Sequence, residues 1–199
     1  LIYLYVQELQ DSWVLSRMLP FSSLIVLGAW HPPLGALMSG LAWKRLEAPV
    51  WRKCLCVVPL MGVTLYAAYG KLLGEVPLTL DRWRGQVCMQ TTYSTCSPAA
   101  AATLLKAHGI DSTEAEMSEL CFTRKTGTTW YGLYRGLKLK TAGTEWDVEM
   151  FKSDTVSLHG SGGPAILSVR LDEGPGIDPR YKEEWGWIPG VQHAVVFFE

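Results

Sequence analysis

The sequence predicts an α+β domain over residues 83–199, preceded by two transmembrane helices within residues 1–75. Two long stretches without charged residues occur in the first third of the chain, whereas helix-favouring and strand-favouring runs follow one another in the remainder. Because the predicted helices of the second region come before its strands, we expect a helical lobe followed by a sheet lobe, with a cleft between them.

The two membrane helices are predicted from the absence of charge. No Asp, Glu, Lys or Arg occurs among the 26 residues of the range 18–43 or among the 17 residues of the range 54–70. A helix needs roughly 20 apolar residues to span a bilayer, so the first stretch suffices and the second is at the short end. Buried helices of a globular core are the alternative, and the Pro32-Pro33 pair would kink or break the first stretch.

The basic residues between the two stretches predict an orientation. By the positive-inside rule their connection is cytoplasmic, so the domain that follows lies on the extracytoplasmic side. The sequence therefore predicts an integral, multi-pass membrane protein. The basic residues of the connection are Lys44, Arg45, Arg52 and Lys53.

A cysteine at the start of a predicted helix is the most informative feature of the second region. Pro98 and the alanine run after it favour a helix that begins near Cys96. The N–H groups and the positive end of the dipole at a helix start stabilise a thiolate, so Cys96 is a candidate nucleophile. Gln90, six residues earlier, is placed to form an oxyanion hole with the backbone N–H of Cys96.

Local signals define the remaining helices and strands. Thr113 with Glu116 forms a capping box for a short helix that extends to about Phe122. Thr128 or Thr129 caps the next helix, in which Gly132 and Gly136 allow close packing, and Gly143 ends it. The apolar, β-favouring runs predict strands at about 145–151, 165–171 and 193–198.

His193 is the best candidate for the base that takes the thiol proton. It lies where a loop rich in Gly and Trp gives way to the last predicted strand, so a rigid element would hold it at a cleft. His108, beside Gly109 at the end of the first helix, is better explained as a capping residue.

This order of residues resembles the papain-like cysteine peptidases, and among them family thirty-nine, the double-glycine leader peptidases. The resemblance makes Gln90 the oxyanion-hole glutamine, Cys96 the nucleophile and His193 the base. It covers about residues 83–199 and implies a papain-like domain that is truncated at its C-terminal end. The third catalytic residue of the family, an Asp or Asn that orients the histidine, is expected beyond Glu199.

The resemblance also implies the substrate and the partners. The substrate is a peptide or protein, specifically the leader of a secreted product, and an exporter or secretion system is the expected partner beside the membrane. A net charge of −1 without a basic cluster gives no support for nucleic-acid binding. Two alternatives stay open: a catalytically silent domain that binds leader peptides, and a papain-like acyltransferase or amidase.

The other cysteines and the aromatic loop carry weaker expectations. No Cys or His pairs have the spacing of metal ligands, so we expect no metal and no cofactor. Cys88 and Cys121 would form a disulfide in an oxidising compartment or, alternatively, belong to the core. The loop over residues 172–192 would either overhang the cleft or pack on the surface. Its aromatic residues are Tyr181, Trp185 and Trp187.

Overall fold

In the computed structural model the chain divides into two compact units, with the boundary after Glu75. The structure describes residues 13–23, 31–151, 163–172, 174, 176–184 and 187–198. The first unit contains helices α1 (Trp13–Met18), α2 (His31–Arg45) and α3 (Val50–Leu72). The second contains β1 (Arg82–Arg84), β2 (Val87–Met89), α4 (Cys96–Ala107), α5 (Glu114–Leu120), α6 (Trp130–Thr141), β3 (Ala165–Arg170), α7 (Arg180–Glu183) and β4 (Gln192–Phe197).

The prediction of two transmembrane helices is wrong. Within the described ranges, no helix combines the length and the apolar character that crossing a membrane requires. Helix α2 has 15 residues, which corresponds to a rise of about 22 Å, against a hydrocarbon core of roughly 30 Å. Helix α3 contains Pro59, and its uncharged part between Lys53 and Lys71 is only 17 residues long.

The predicted placement as an integral, multi-pass membrane protein with an extracytoplasmic domain rested on these two helices and is corrected with them. The charge-free range 18–43 does not form one helix in the described residues, because α2 begins only at His31. Residues 24–30 of that range lie outside the described residues. In the first unit, α2 packs against α3, and Gly35 approaches Thr64 so closely that an added Cβ would lie 2.3 Å from its hydroxyl oxygen.

Helix α4 is the central element of the second unit. It packs against β2, α5, α6, β3 and β4, and its run of alanines leaves room for neighbouring elements to approach closely. Ile166 of β3 packs against the apolar core that the helices share, so the mixed α and β composition that the sequence predicts is present. The buried apolar core residues are Cys88, Ala99, Ala101, Ala102, Leu105, Met117, Cys121, Leu133 and Leu137.

Both predicted helix caps are confirmed. The Thr113 hydroxyl accepts a hydrogen bond from the Glu116 N–H at 3.1 Å, at the start of α5. The Thr129 hydroxyl accepts one from the Gly132 N–H at 3.2 Å, at the start of α6. Helix α6 ends just before Gly143, whose φ of +82° is a conformation that glycine adopts without strain.

The close approach at the two glycines of α6 is also confirmed. An added Cβ at Gly132 would lie 2.2 Å from the carbonyl oxygen of Cys121, and one at Gly136 would lie 2.4 Å from its Sγ. Neither distance is compatible with a methyl group. Cys121 therefore sets how closely α6 packs against the end of α5.

The strands differ in part from the prediction. β3 and β4 pair antiparallel, with Val169 opposite His193. The predicted strand over residues 145–151 is wrong: Asp147 accepts hydrogen bonds from Lys138 and from its neighbour Val148, so this segment is bonded locally. The hairpin of β1 and β2, which turns at Gly85 with φ of +62°, was not predicted.

Candidate active site

Cys96 is the first residue of α4, as the sequence predicts, and its side chain is half-buried. The preceding Thr95 does not cap the helix through its side chain. Its hydroxyl instead accepts a hydrogen bond from the Thr92 N–H at 3.0 Å and donates one to the Thr92 carbonyl at 2.9 Å. The Cys96 Sγ lies 4.0 Å from the Ser97 hydroxyl oxygen. The thiol is therefore placed at a helix start that follows a tightly bonded turn.

Gln90 directly follows β2 and is half-buried. On one side of it, the Cys88 N–H donates to the Thr103 hydroxyl oxygen of α4 at 2.9 Å. On the other side, the Thr91 N–H donates to the carboxylate of Glu114 at 2.7 Å. The backbone on both sides of Gln90 is thus fixed to α4 and to α5, and α4 is the helix that begins with the candidate nucleophile.

His193 is the second residue of β4, and its side chain is half-buried. Its imidazole ring lies against the indole of Trp187, with ring centroids 5.0 Å apart and planes at 49°. Burial lowers the pKa of His193 below its ordinary value of 6.5, which favours the neutral imidazole that a base requires. Because β4 packs against α4, the candidate base and the candidate nucleophile lie on two elements in contact.

The loop before β4 supplies the aromatic contact with His193. The Trp187 N–H donates to the Tyr181 carbonyl at 2.8 Å, and the two aromatic rings are 5.8 Å apart. The Gly190 N–H donates to the Leu171 carbonyl at 2.9 Å. Trp185 lies outside the described residues. The loop is therefore tied to itself and to the end of β3, while its position over a cleft stays a prediction.

The predicted Cys88–Cys121 disulfide is not present, because both residues are free thiols in the core. Burial raises the pKa of Cys88 to about 11 and that of Cys121 to about 12. Neither thiol is therefore available as a nucleophile at neutral pH. In the part of the chain that the structure describes, no group of three or more His, Cys, Asp or Glu could hold a metal ion.

Sequence reasoning missed Glu114. It resembles an ordinary acidic residue in the first turn of a helix, where the helix dipole favours negative charge. In the structure it is fully buried and bound to residues that precede it by 23 and 34 positions in the chain. An acidic residue next to the capping Thr113 is the only local signal, and it does not reveal these distant partners.

Comparison with known sequences gives two short matches to curated relatives. An uncharacterised protein of Methanothermobacter thermautotrophicus is 49% identical over 47 residues, which cover 24% of this chain and 33% of the relative. An uncharacterised protein of Methanothermobacter marburgensis is 45% identical over 47 residues, with the same shares. The match therefore spans about a third of the length of these relatives. No solved structure matches the chain significantly.

The family comparison is more informative. Residues 84–167 match the sequence profile of the peptidase C39 family. The matched segment includes Gln90 and Cys96 and ends before His193. It supports a cysteine peptidase type of function for this domain. Through the segment 84–167, the chain belongs to the peptidase C39 family.

Proposed function

We propose that this protein is a cysteine peptidase in which Cys96 is the nucleophile, His193 the base and Gln90 a donor to the oxyanion. The observation that carries the proposal is the loop between Gln90 and Cys96. It leads into a helix start, it is hydrogen-bonded at both ends, and it lies within the segment that matches the C39 family.

The proposed reaction is acyl transfer through a thioester. His193 would take the proton of the Cys96 thiol, and the thiolate would attack the carbonyl carbon of the scissile peptide bond. The Gln90 amide and the Cys96 N–H would donate hydrogen bonds to the oxyanion. As the C–N bond breaks, His193 would return the proton to the leaving nitrogen. Water would then attack the thioester, giving its proton to His193, and release a carboxylic acid and the free thiol.

The substrate of such an enzyme is a peptide or protein. The resemblance to the double-glycine leader peptidases favours the leader of a secreted peptide, which an exporter or secretion system would deliver. A peptide that ends in two glycines before the scissile bond is therefore the first substrate to test. The half-buried setting of Cys96 and His193 is compatible with an extended peptide chain that reaches both side chains.

The test is labelling and hydrolysis by the purified chain. We expect a peptidyl vinyl sulfone with a Gly-Gly end to label wild type and Cys56→Ser equally, since Cys56 is an exposed thiol in the other unit. Cys96→Ala should lose labelling and hydrolysis, and His193→Ala should slow both by roughly 100-fold or more. Unchanged labelling of Cys96→Ala would contradict the proposal.

The same samples separate the two alternatives. A silent leader-binding domain would bind the peptide without producing any cleavage product. An acyltransferase would yield an amide or ester of an added acceptor, whereas a peptidase in water yields the free carboxylic acid. Mass spectrometry of the products distinguishes these outcomes.

A further inference from the structure

Glu114 is a fully buried carboxylate, with 0% of its surface exposed. It is the first residue of α5, and its oxygens accept hydrogen bonds from donors outside that helix. The Thr91 N–H donates to Oε1 at 2.7 Å. The Leu80 N–H donates to Oε2 at 3.3 Å, and the Thr91 hydroxyl donates to the same oxygen. A carboxylate is buried at tolerable cost only where such donors replace water.

Two of these three bonds fix the chain beside Gln90. We define the oxyanion loop as residues 90–95. Glu114 holds the start of the loop through both the N–H and the hydroxyl of Thr91. The reciprocal bonds of Thr92 and Thr95 hold its end. The oxyanion loop therefore has internal partners at both ends in the absence of any ligand.

Glu114 is itself fixed in place. The Asp81 carboxylate accepts a hydrogen bond from the Ala115 N–H at 2.9 Å, and Asp81 adopts a positive φ of +48°, which is unusual for a residue other than glycine. Together with the bond from Leu80 to Glu114, this contact attaches the first turn of α5 to the segment that leads into β1. The position of Glu114 is therefore determined from two directions.

We propose that Glu114 is a positioning residue for the oxyanion hole, acting through Thr91 on Gln90. The inference rests on the proposed role of Gln90 in catalysis. Donors to an oxyanion are effective only when they are held in place before the charge develops. Glu114 supplies that restraint at the residue next to Gln90, and it touches neither the thiol nor the substrate in the proposed mechanism.

The test compares Glu114→Gln with Gln90→Ala and with the double variant. Glutamine keeps the size of the side chain but puts an NH2 group where one carboxylate oxygen accepts hydrogen bonds. We expect Gln90→Ala to lower kcat by about 100-fold or more and Glu114→Gln by roughly 10- to 100-fold, with KM unchanged in both. The double variant should be no slower than Gln90→Ala, because Glu114 acts through Gln90.

Glu116→Gln is the matched control. Glu116 lies two residues further along α5, pairs with Lys140 at 2.9 Å, and is partly exposed. Its substitution should leave kcat at the wild-type value. Alkylation of Cys96 by iodoacetamide is a second control, since this reaction develops no oxyanion. We expect Glu114→Gln to alkylate at the wild-type rate.

Hydrogen exchange gives a readout that does not depend on activity. The Thr91 amide, which Glu114 holds, should exchange at least about 10-fold faster in Glu114→Gln and at the wild-type rate in Glu116→Gln. If Glu114→Gln does not fold, Thr91→Val replaces it, because this variant removes the hydroxyl donor and keeps the backbone N–H. Thr91→Val should lower kcat in the same direction by a smaller factor.

The outcomes separate this inference from the proposed function. Full additivity of Glu114→Gln and Gln90→Ala, a wild-type kcat for Glu114→Gln, or unchanged exchange of the Thr91 amide each overturns the positioning role while Cys96 stays the nucleophile. If hydrolysis does not depend on Cys96, the proposed function fails, and the positioning role fails with it.

Discussion

The imidazole of His193 packs against the indole of Trp187 at a centroid distance of 5.0 Å. The histidine belongs to β4, whereas the tryptophan belongs to the loop that precedes this strand. The contact covers one face of a titratable ring with apolar surface, and burial is the cause of the lowered pKa of His193. The protonation of His193 therefore depends on where this loop places Trp187.

Replacing Trp187 by Ala should raise the pKa of His193 toward its ordinary value of 6.5, because water would reach the imidazole. The measurement is an NMR titration of the imidazole C–H signals in wild type and variant. Trp130→Ala serves as the control, since Trp130 lies at the start of α6. An unchanged pKa in Trp187→Ala would show that the ring contact does not cause the shift.

The same substitution should change how stability depends on pH. Because the folded-state pKa of His193 is lowered, the unfolded chain binds the proton first as pH falls below about 6.5. Wild type should therefore lose stability between pH 6.5 and the lowered pKa, and Trp187→Ala should lose less. Urea unfolding at pH 7.5 and pH 5.5 measures the difference, which would be equal in the two proteins if burial of His193 played no part.

The five cysteines should divide into two groups by reactivity. At pH 8 we expect iodoacetamide to modify Cys54, Cys56 and Cys96 in the folded protein. Cys88 and Cys121 should react only after unfolding, because they are buried and their pKa values are raised to about 11 and about 12. Mass spectrometry of digested protein identifies the modified residues. Modification of folded Cys121 at the rate of Cys56 would contradict the buried placement.

The raised thiol pKa values also predict a loss of stability at high pH. As pH rises above the ordinary thiol value of 9.0, the unfolded chain loses these protons before the folded chain does. Stability should therefore fall between about pH 9 and pH 11. Cys88→Ala should reduce the slope of this fall in urea unfolding experiments.

The packing of α6 predicts a selective rescue. Gly132→Ala and Gly136→Ala should each destabilise the second unit by about 1–3 kcal/mol, since both add a methyl group to filled space. Cys121→Ala should offset Gly136→Ala, whose methyl group overlaps the Sγ atom. It should not offset Gly132→Ala, whose methyl group overlaps the backbone carbonyl of Cys121. Thermal unfolding of the single and double variants tests this, and equal rescue of both glycines would contradict it.

Two buried threonines provide a matched comparison. The Thr103 oxygen accepts the Cys88 N–H, so Thr103→Val should leave a buried donor unpaired and cost about 1–3 kcal/mol. The Thr141 hydroxyl donates to the Leu137 carbonyl within its own helix, so Thr141→Val should cost less. Chemical denaturation of the two variants gives the comparison. A greater loss for Thr141→Val would show that the bond to Cys88 does not hold β2 on α4.

The parts of the fold that depend on neighbouring residues were predicted well. Pro98 predicts the start of α4, and Thr113 with Glu116 predicts the start of α5. Thr129 and Gly143 mark the two ends of α6. In each case the side chain or the backbone conformation that sets the boundary lies within about three residues of it, so the local sequence carries the information.

The parts that depend on distant partners were predicted poorly. The segment with Asp147 has strand-favouring residues but bonds to Lys138 instead of to another strand. The strands of the hairpin around Gly85 have only three residues each, too few to form a recognisable alternating pattern. Absence of charge alone predicted membrane helices, although length and apolar character decide whether a helix can cross a bilayer. The role of Glu114 is defined by contacts across 23 and 34 positions.

The contact of Cys121 with both glycines of α6 has a consequence for natural variation. A larger side chain at position 121 would need more space than Gly136 leaves, and a larger residue at position 136 would need a smaller one at position 121. We therefore expect homologous proteins to change these two positions together, and to select residue 121 for its volume without regard to its redox chemistry.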